Sequence, residues 1–167
     1  MIIYCDGACS GNGNTNAIGG FGIIALNNNG EFCHAYAKRN ENTTNNREEL
    51  RAILRCLLMY GRNTETTIVY SDSAYAVNTY NNWMWGWEKR GWIKSDNKIP
   101  ENLDLIQPYC DLWKKGYRID LRKCAGHSGD KWNEEADKLA VAAKEGRGIE
   151  AVNKLYERYG VNGTDSI

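Results

Sequence analysis

Met1-Ile2-Ile3-Tyr4-Cys5-Asp6-Gly7 is apolar on both alternating faces and then stops at a carboxylate followed by glycine. That pattern marks a strand covered on both sides, as central strands of α/β sheets are. Ligands in such sheets bind beyond strand ends, so an aspartate delivered there asks for a role other than solvation. Asp-Gly is equally a common turn dipeptide. Taken alone, Asp6 leaves both accounts open.

Working outward, Gly7 to Gly20 is rich in glycine and asparagine and reads as a polar loop. Gly20 to Leu26 resumes a β pattern, Asn27-Asn28-Asn29-Gly30 suits a turn, and Phe32, His34 and Tyr36 alternate on the return. A three-stranded antiparallel meander follows, with His34 a packing or surface residue rather than a ligand. Thr43-Thr44-Asn45-Asn46 then offers helix caps, and Leu50, Ile53, Leu54, Leu57 and Leu58 recur at helical spacing until Gly61. On that helix Glu49 shares an edge with the buried face and Glu48 turns toward solvent, although an acid in a first turn also suits the helix dipole. Thr66 to Tyr70 is a β-branched run that delivers a second aspartate in Ser71-Asp72-Ser73, before a helix opening at Ala74. Asp72 is open to two readings, a helix N-cap or a partner for Asp6.

Trp83, Trp85, Trp87 and Trp92 are interleaved with Lys89, Arg90, Lys94 and Lys98, a combination suited to stacking and backbone contacts with nucleic acid. Pro100-Glu101 reads as a helix start with Leu103, Ile106 and Cys110 on one face, and Pro108 belongs in a first turn or a kink. Tyr117 to Cys124 alternates as a last strand. Ala125 to Asp130 is a glycine-flanked loop whose His127 is expected to be exposed and titratable near neutrality. Trp132 to Lys144 is helical, with Asn133 and Asp137 beside its apolar face. Ile149, Val152, Tyr156 and Tyr159 predict one more amphipathic helix, ending in a polar tail. Hairpin logic for the first strands and helical crossovers for the rest predict an α/β fold: a mixed five-stranded sheet, three antiparallel strands and then parallel ones, with helices on both faces.

The chain of 167 residues suits one domain, which we place at 1–147, with 148–167 as a C-terminal helix and tail rather than a second domain. At 42% hydrophobic and 25% charged, it has the composition of a soluble globular protein, without a bilayer-spanning run or a signal peptide, so the cytoplasm is expected. Its six cysteines fall mostly within strand and helix patterns and read as free thiols, not as a disulfide framework or zinc site. A formal net charge of zero argues against holding a polyanion by overall field, but not against local basic patches.

Five motifs in order give a specific match. They are Tyr4-Cys5-Asp6-Gly7-Ala8-Cys9-Ser10-Gly11-Asn12, Thr43-Thr44-Asn45-Asn46-Arg47-Glu48-Glu49-Leu50, Tyr70-Ser71-Asp72-Ser73-Ala74-Tyr75, Trp87-Glu88-Lys89-Arg90-Gly91-Trp92, and Gly126-His127-Ser128-Gly129 with Asn133 and Asp137 following. Residues 1 to 144 resemble type I ribonuclease H, the endonuclease that cuts the RNA strand of RNA/DNA hybrids. The resemblance implies that Asp6, Glu49, Asp72 and Asp137 are metal-binding catalytic carboxylates, since converging acids stay ionised only around cations. Oxygen-only ligation points to two Mg²⁺ ions, with Mn²⁺ as a substitute. The resemblance also implies a 3′-hydroxyl and a 5′-phosphate as product ends, and a proton-relay or product-release role for His127. It places Cys9, Asn12, Asn45, Asn46 and Asn133 among the substrate contacts, the first four in the hybrid's minor groove. Trp83, Trp87, Lys89, Arg90, Trp92 and Lys94 match the protrusion that grips the DNA strand. No membrane and no obligate protein partner is implied, and a monomer is expected.

The sequence departs from the family pattern where Ala74 replaces a base-contacting glutamine, where the last strand lacks its usual tryptophans, and in the Gly11–Asn16 loop. No N-terminal hybrid-binding module is expected, because the chain opens on the first strand. The rival readings are a non-catalytic binder, a DNA-cutting nuclease of this fold, a domain released from a reverse transcriptase, and a metal-independent glycosidase. Four acids beside phosphates disfavour the binder, and the cationic tryptophan segment disfavours the glycosidase.

Overall fold

Residues 1–11, 16–124 and 130–160 are described by the structure, a computed structural model. Its first strand, β1 (Ile2–Ser10), pairs antiparallel with β2 (Ile18–Leu26), which pairs antiparallel with β3 (Phe32–Glu41). On the other side, β1 runs parallel to β4 (Thr67–Ser71), and β4 to β5 (Ile119–Lys123). The order β3-β2-β1-β4-β5 is the expected mixed five-stranded sheet. The helices are α1 (Asn45–Tyr60), α2 (Ala74–Asn78), α3 (Met84–Lys89), α4 (Leu103–Lys114), α5 (Lys131–Lys144) and α6 (Gly148–Tyr159). A π-helical turn, Thr79–Trp83, joins α2 to α3.

Two corrections concern the first hairpin. The stretch from Gly7 is not all loop: β1 continues to Ser10 and β2 begins at Ile18, so Asp6 sits within β1, opposite Gly22. Glycines of these two strands mark places where helices lie directly on the sheet. A Cβ at Gly22 would lie 2.8 Å from the Leu139 Cβ of α5, and one at Gly7 would lie 2.6 Å from the Glu49 nitrogen of α1. Parallel pairing of β1 with β4 nevertheless stops at Tyr4 and Tyr70. Asp6 thus stands just past the point where these two strands part.

Both faces of the sheet are covered. On one, Ile3, Cys5, Ile23 and Val69 meet Leu50, Ile53 and Leu57 of α1 and Ile106 and Tyr109 of α4. On the other, Ile24, Leu26 and Ala35 meet Leu139 of α5 and Leu155 of α6. The terminal helix is therefore part of the core. Its Tyr156 hydroxyl lies 2.6 Å from His34 Nδ1 and accepts from the Ala35 N–H, and burial holds the His34 imidazole below its ordinary pKa. Leu58, counted in the apolar stripe of α1, is half exposed.

Helix α4 begins at Leu103 rather than beside Pro100, because Asn102 takes a left-handed conformation (φ 64°) that turns the chain into the helix. Pro108 lies inside α4, past its first turn, where it cannot donate to the Asp104 carbonyl. All six cysteines are free thiols, as expected. No helix among the described residues is long and apolar enough to cross a membrane.

Candidate active site

Where β1 and β4 part, three acids meet. Asp6 is buried on β1, its Oδ1 accepting the Gly7 N–H at 2.9 Å. Glu49 is buried in the first turns of α1, which Gly7 allows to lie against β1. Asp72 follows the last residue of β4. It is not the cap of α2: Ser73 is, accepting the Ala76 N–H at 3.1 Å, and the Asp72 carboxylate is left to face the other two. One carboxylate oxygen from each of Asp6, Glu49 and Asp72 lies within 4.8 Å of the others. Asp137 of α5 lies outside that trio but lines the same open cleft, about 400 Å³, with Gly7, Ala8, Cys9, Asn45 and Ser73.

Crowding of acids in a buried place has an electrostatic signature. Burial first, then the Glu49 carboxylate, pushes Asp6 up to about 11, with Asp72 and a hydrogen bond to Asp137 adding to the rise. Burial also pushes Glu49 up to about 7; its hydrogen bond with Asp6 opposes this and the Asp72 carboxylate adds to it. Glu49 Oε2 is buried with no hydrogen-bond partner among the described residues. An orphaned carboxylate oxygen within an all-oxygen cluster fits a hard divalent cation, whose charge would reverse these shifts. A groove of similar size, about 390 Å³, runs between α5 and α6 and shares Asp137. Its Arg147, Lys154 and Arg158 are paired with Glu145, Glu150 and Glu135, so it offers no comparable unbalanced charge.

The ribonuclease H family model matches residues 1–145. Ribonuclease H of Syntrophomonas wolfei is 39% identical over 141 residues, covering 84% of this chain and 92% of the relative. That of Maricaulis maris is 40% identical over 140 residues, covering 84% and 90%. The chain belongs to the ribonuclease H family. As a ribonuclease H it is an endoribonuclease, a hydrolase. Among solved structures, LC9-RNase H1, described as a type 1 RNase H with the type 2 active-site motif, aligns with a TM-score of 0.70 at 28% identity, over 87% of this chain and 72% of that one. LC11-RNase H1, solved in complex with an RNA/DNA hybrid, aligns with a TM-score of 0.63 over 87% of this chain and 96% of that one. At 20% identity, that second likeness concerns the fold alone.

The other predicted site residues of this ribonuclease H are placed unevenly. Cys9 and Asn45 line the cleft, and Asn46 is exposed beside them on α1. Asn133 is buried under the first turn of α5, where its side-chain carbonyl accepts the Cys124 thiol at 3.5 Å, and it does not line the cleft. Trp83 is exposed and 6.4 Å from the half-buried Trp87. Trp92 is half-buried against the α1 side of the core, in a left-handed conformation (φ 65°) that lets the chain turn back after α3. Lys89 and Arg90 are exposed and Lys94 is half-buried near Asp96. Asn12 and His127 lie outside the described residues.

Some of the site's supports have no counterpart in the sequence reading. Glu48, expected in solvent, is fully buried. Asp130 caps α5 by accepting the Trp132 N–H and also accepts the Tyr4 hydroxyl at 3.1 Å; burial, followed by this bond, raises the Tyr4 phenol well above its ordinary value. Arg47 on α1 grips Asp104 and Asn102, and Asn102 accordingly turns its amide to the Tyr75 hydroxyl beside Trp83. An aspartate just before a helical pattern was a legible cap signal for Asp130. The Arg47 link spans distant segments and leaves no local pattern.

Proposed function

We propose that the protein hydrolyses the RNA strand of RNA/DNA hybrids with two Mg²⁺ ions, which Mn²⁺ can replace, leaving a 3′-hydroxyl and a 5′-phosphate. The observation that carries this reading is the convergence of Asp6, Glu49 and Asp72 within 4.8 Å, on a scaffold shared with enzymes named ribonuclease H. Support for the substrate comes from the relatives named ribonuclease H, which are 39% and 40% identical over most of the chain.

Asp6, Glu49, Asp72 and Asp137 would hold the ions. Bound there, a cation pair supplies Lewis acidity to an in-line displacement at phosphorus. The chain's own task is to keep the four carboxylates aimed at one point and to hold the scissile phosphate beside them. Cys9, Asn45 and Asn46, on the rim of the cleft, sit where they can meet the minor groove and sense the 2′-hydroxyls that distinguish RNA from DNA. Trp83 and Trp87, with Lys89 and Arg90, offer a stacking and cationic surface to the DNA strand. His127 is assigned to moving a proton or assisting product departure. Water attacks phosphorus and the bond to the 3′-oxygen breaks, which yields the two product ends.

The test is incubation with end-labelled RNA/DNA hybrid, duplex DNA and duplex RNA, in Mg²⁺, Mn²⁺ or chelator. Cleavage of only the RNA strand of the hybrid, abolished by chelator, is expected. Cutting of duplex DNA but not of hybrid, or cutting that survives chelation, overturns the proposal.

A further inference from the structure

Glu48 is a carboxylate with no exposed surface, one residue before a proposed metal ligand and outside the lining of the cleft. Its Oε1 accepts from Asn40 Nδ2 at 2.8 Å, at the end of β3. Its Oε2 accepts from the Thr43 hydroxyl at 2.7 Å and from Arg51 Nη1 at 3.2 Å. These bonds join the last turn of sheet, the segment entering α1 and the second turn of α1 itself. The neighbouring backbone is equally close. A Cβ at Gly19 would lie 2.8 Å from Glu48 Cγ, and one at Gly7 would lie 2.6 Å from the Glu48 carbonyl carbon. Strands β1, β2 and β3 all meet α1 at this side chain.

Such an arrangement is a poor way to gain stability. Desolvating a carboxylate and a guanidinium offsets most of their attraction, and an apolar side chain of similar volume commonly does as well. What hydrogen bonds to three separate segments do supply is orientation. They fix how far α1 is rotated about its axis and how its first turn meets β1. Glu49 and Asn45, which line the cleft, lie on that same turn, and Glu49 Oε2 has no protein partner among the described residues to aim it.

We infer that Glu48 is a positioning residue, whose buried hydrogen bonds to Asn40, Thr43 and Arg51 lock the first turn of α1 so that Glu49 presents its carboxylate to the metal site. The inference rests on the metal-dependent reading of the cleft. Glu48 touches neither substrate nor reacting atoms; it acts through the residue after it. Supporting groups of this kind typically tune metal affinity by about ten- to a hundredfold.

Calorimetric titration with Mn²⁺, in the absence of substrate, tests this on the unaltered protein, Glu48→Ala and Glu48→Gln, with thermal unfolding and kcat and KM on hybrid measured alongside. Gln has the same shape. Its carbonyl can accept from Thr43 and Arg51, and its amide can donate to Asn40 once that side chain is flipped. Glu48→Ala should weaken Mn²⁺ binding about tenfold or more and lower kcat more than it raises KM. Glu48→Gln should stay within about threefold of the parent in both. Equal Mn²⁺ affinity in the parent and Glu48→Ala, even with a lowered melting temperature, reduces Glu48 to a structural role and overturns the inference. Equal losses in Glu48→Gln and Glu48→Ala do so too, because charge and not geometry would then be at work. Should Glu48→Ala fail to fold, Thr43→Val removes one donor at nearly constant volume; a several-fold loss of Mn²⁺ affinity supports the inference and an unchanged affinity overturns it. Absence of Mn²⁺ binding by the unaltered protein sinks the reading of the cleft, and this inference with it.

Discussion

Replacing Asp6 by asparagine should make the metal-free protein more stable while abolishing cleavage. Asp6 has an ordinary pKa of 3.8 and is pushed up to about 11 by burial and by the Glu49 carboxylate. A group raised in this way favours folding fully below its unfolded value, and the benefit drains away as pH rises toward the folded value. At pH 7 the unfolded chain has ionised Asp6 over about three pH units, and each unit is worth about 1.4 kcal/mol. The ceiling on the stability forfeited is therefore about 4 kcal/mol. Asparagine forfeits none of it, and its carbonyl can still accept the Gly7 N–H that Asp6 Oδ1 accepts. Allowing for sharing of the effect within the acid cluster, a gain of about 2 to 4 kcal/mol remains, or about 5 to 15 °C in melting temperature for a domain of this size.

The assay is thermal unfolding in chelator at pH 4, 6 and 8. The gap between Asp6→Asn and the parent should be near zero at pH 4 and widen toward pH 8, with Glu49 contributing its own loss between its ordinary 4.5 and about 7. Saturating Mg²⁺ should narrow the gap, because it binds the parent's folded state and returns the stability that repulsion removed. An Asp6→Asn protein no more stable than the parent at pH 7 in chelator would refute the claim that these carboxylates are held together at an electrostatic cost.

Gly7→Ala places a Cβ 2.6 Å from the Glu48 carbonyl carbon and the Glu49 nitrogen, so α1 must shift; urea unfolding should show a cost of about 1 to 3 kcal/mol, and cleavage by the folded protein should fall as Glu49 moves. Leu155→Ala on α6 empties a buried position against Ile24 and Leu139 and should cost about 2 to 5 kcal/mol by the same assay, with turnover per folded molecule unchanged. Lys89→Ala and Arg90→Ala should each weaken hybrid binding across sequences and reduce the slope of log affinity against log salt by about one; unchanged slopes would remove the α3 end from the substrate path.

Legibility in the sequence follows the range of the signal. Period-2 and period-3.6 patterns gave every strand and the main helices, since each depends only on which face of one element is covered. Antiparallel and parallel pairing followed from the lengths of the connections. Asp6, Glu49, Asp72 and Asp137 could be found one at a time as acids at strand ends or beside apolar faces, and the family resemblance named them as a set. Their meeting, however, depends on the parting of β1 from β4 after Tyr4 and on Gly7 admitting α1, both of which are tertiary facts. Gly7 and Gly19 misled for the same reason: glycine in a loop and glycine under a helix are identical letters.

Glu48 shows most sharply what a helical wheel leaves out. The wheel assumes that a helix is buried along one stripe, so a residue one step from Glu49 is assigned to water. The first turn of α1 is instead covered from a second direction, because Gly19 and the end of β3 reach around it and present Thr43 and Asn40. A carboxylate can enter that corner only because every oxygen finds a donor there, and the donors come from residues three to eight positions away in sequence. Periodicity describes a helix against a plane, but the ends of helices meet corners. Glu49 stands at such an end, which is why its environment could not be read from the spacing that located it.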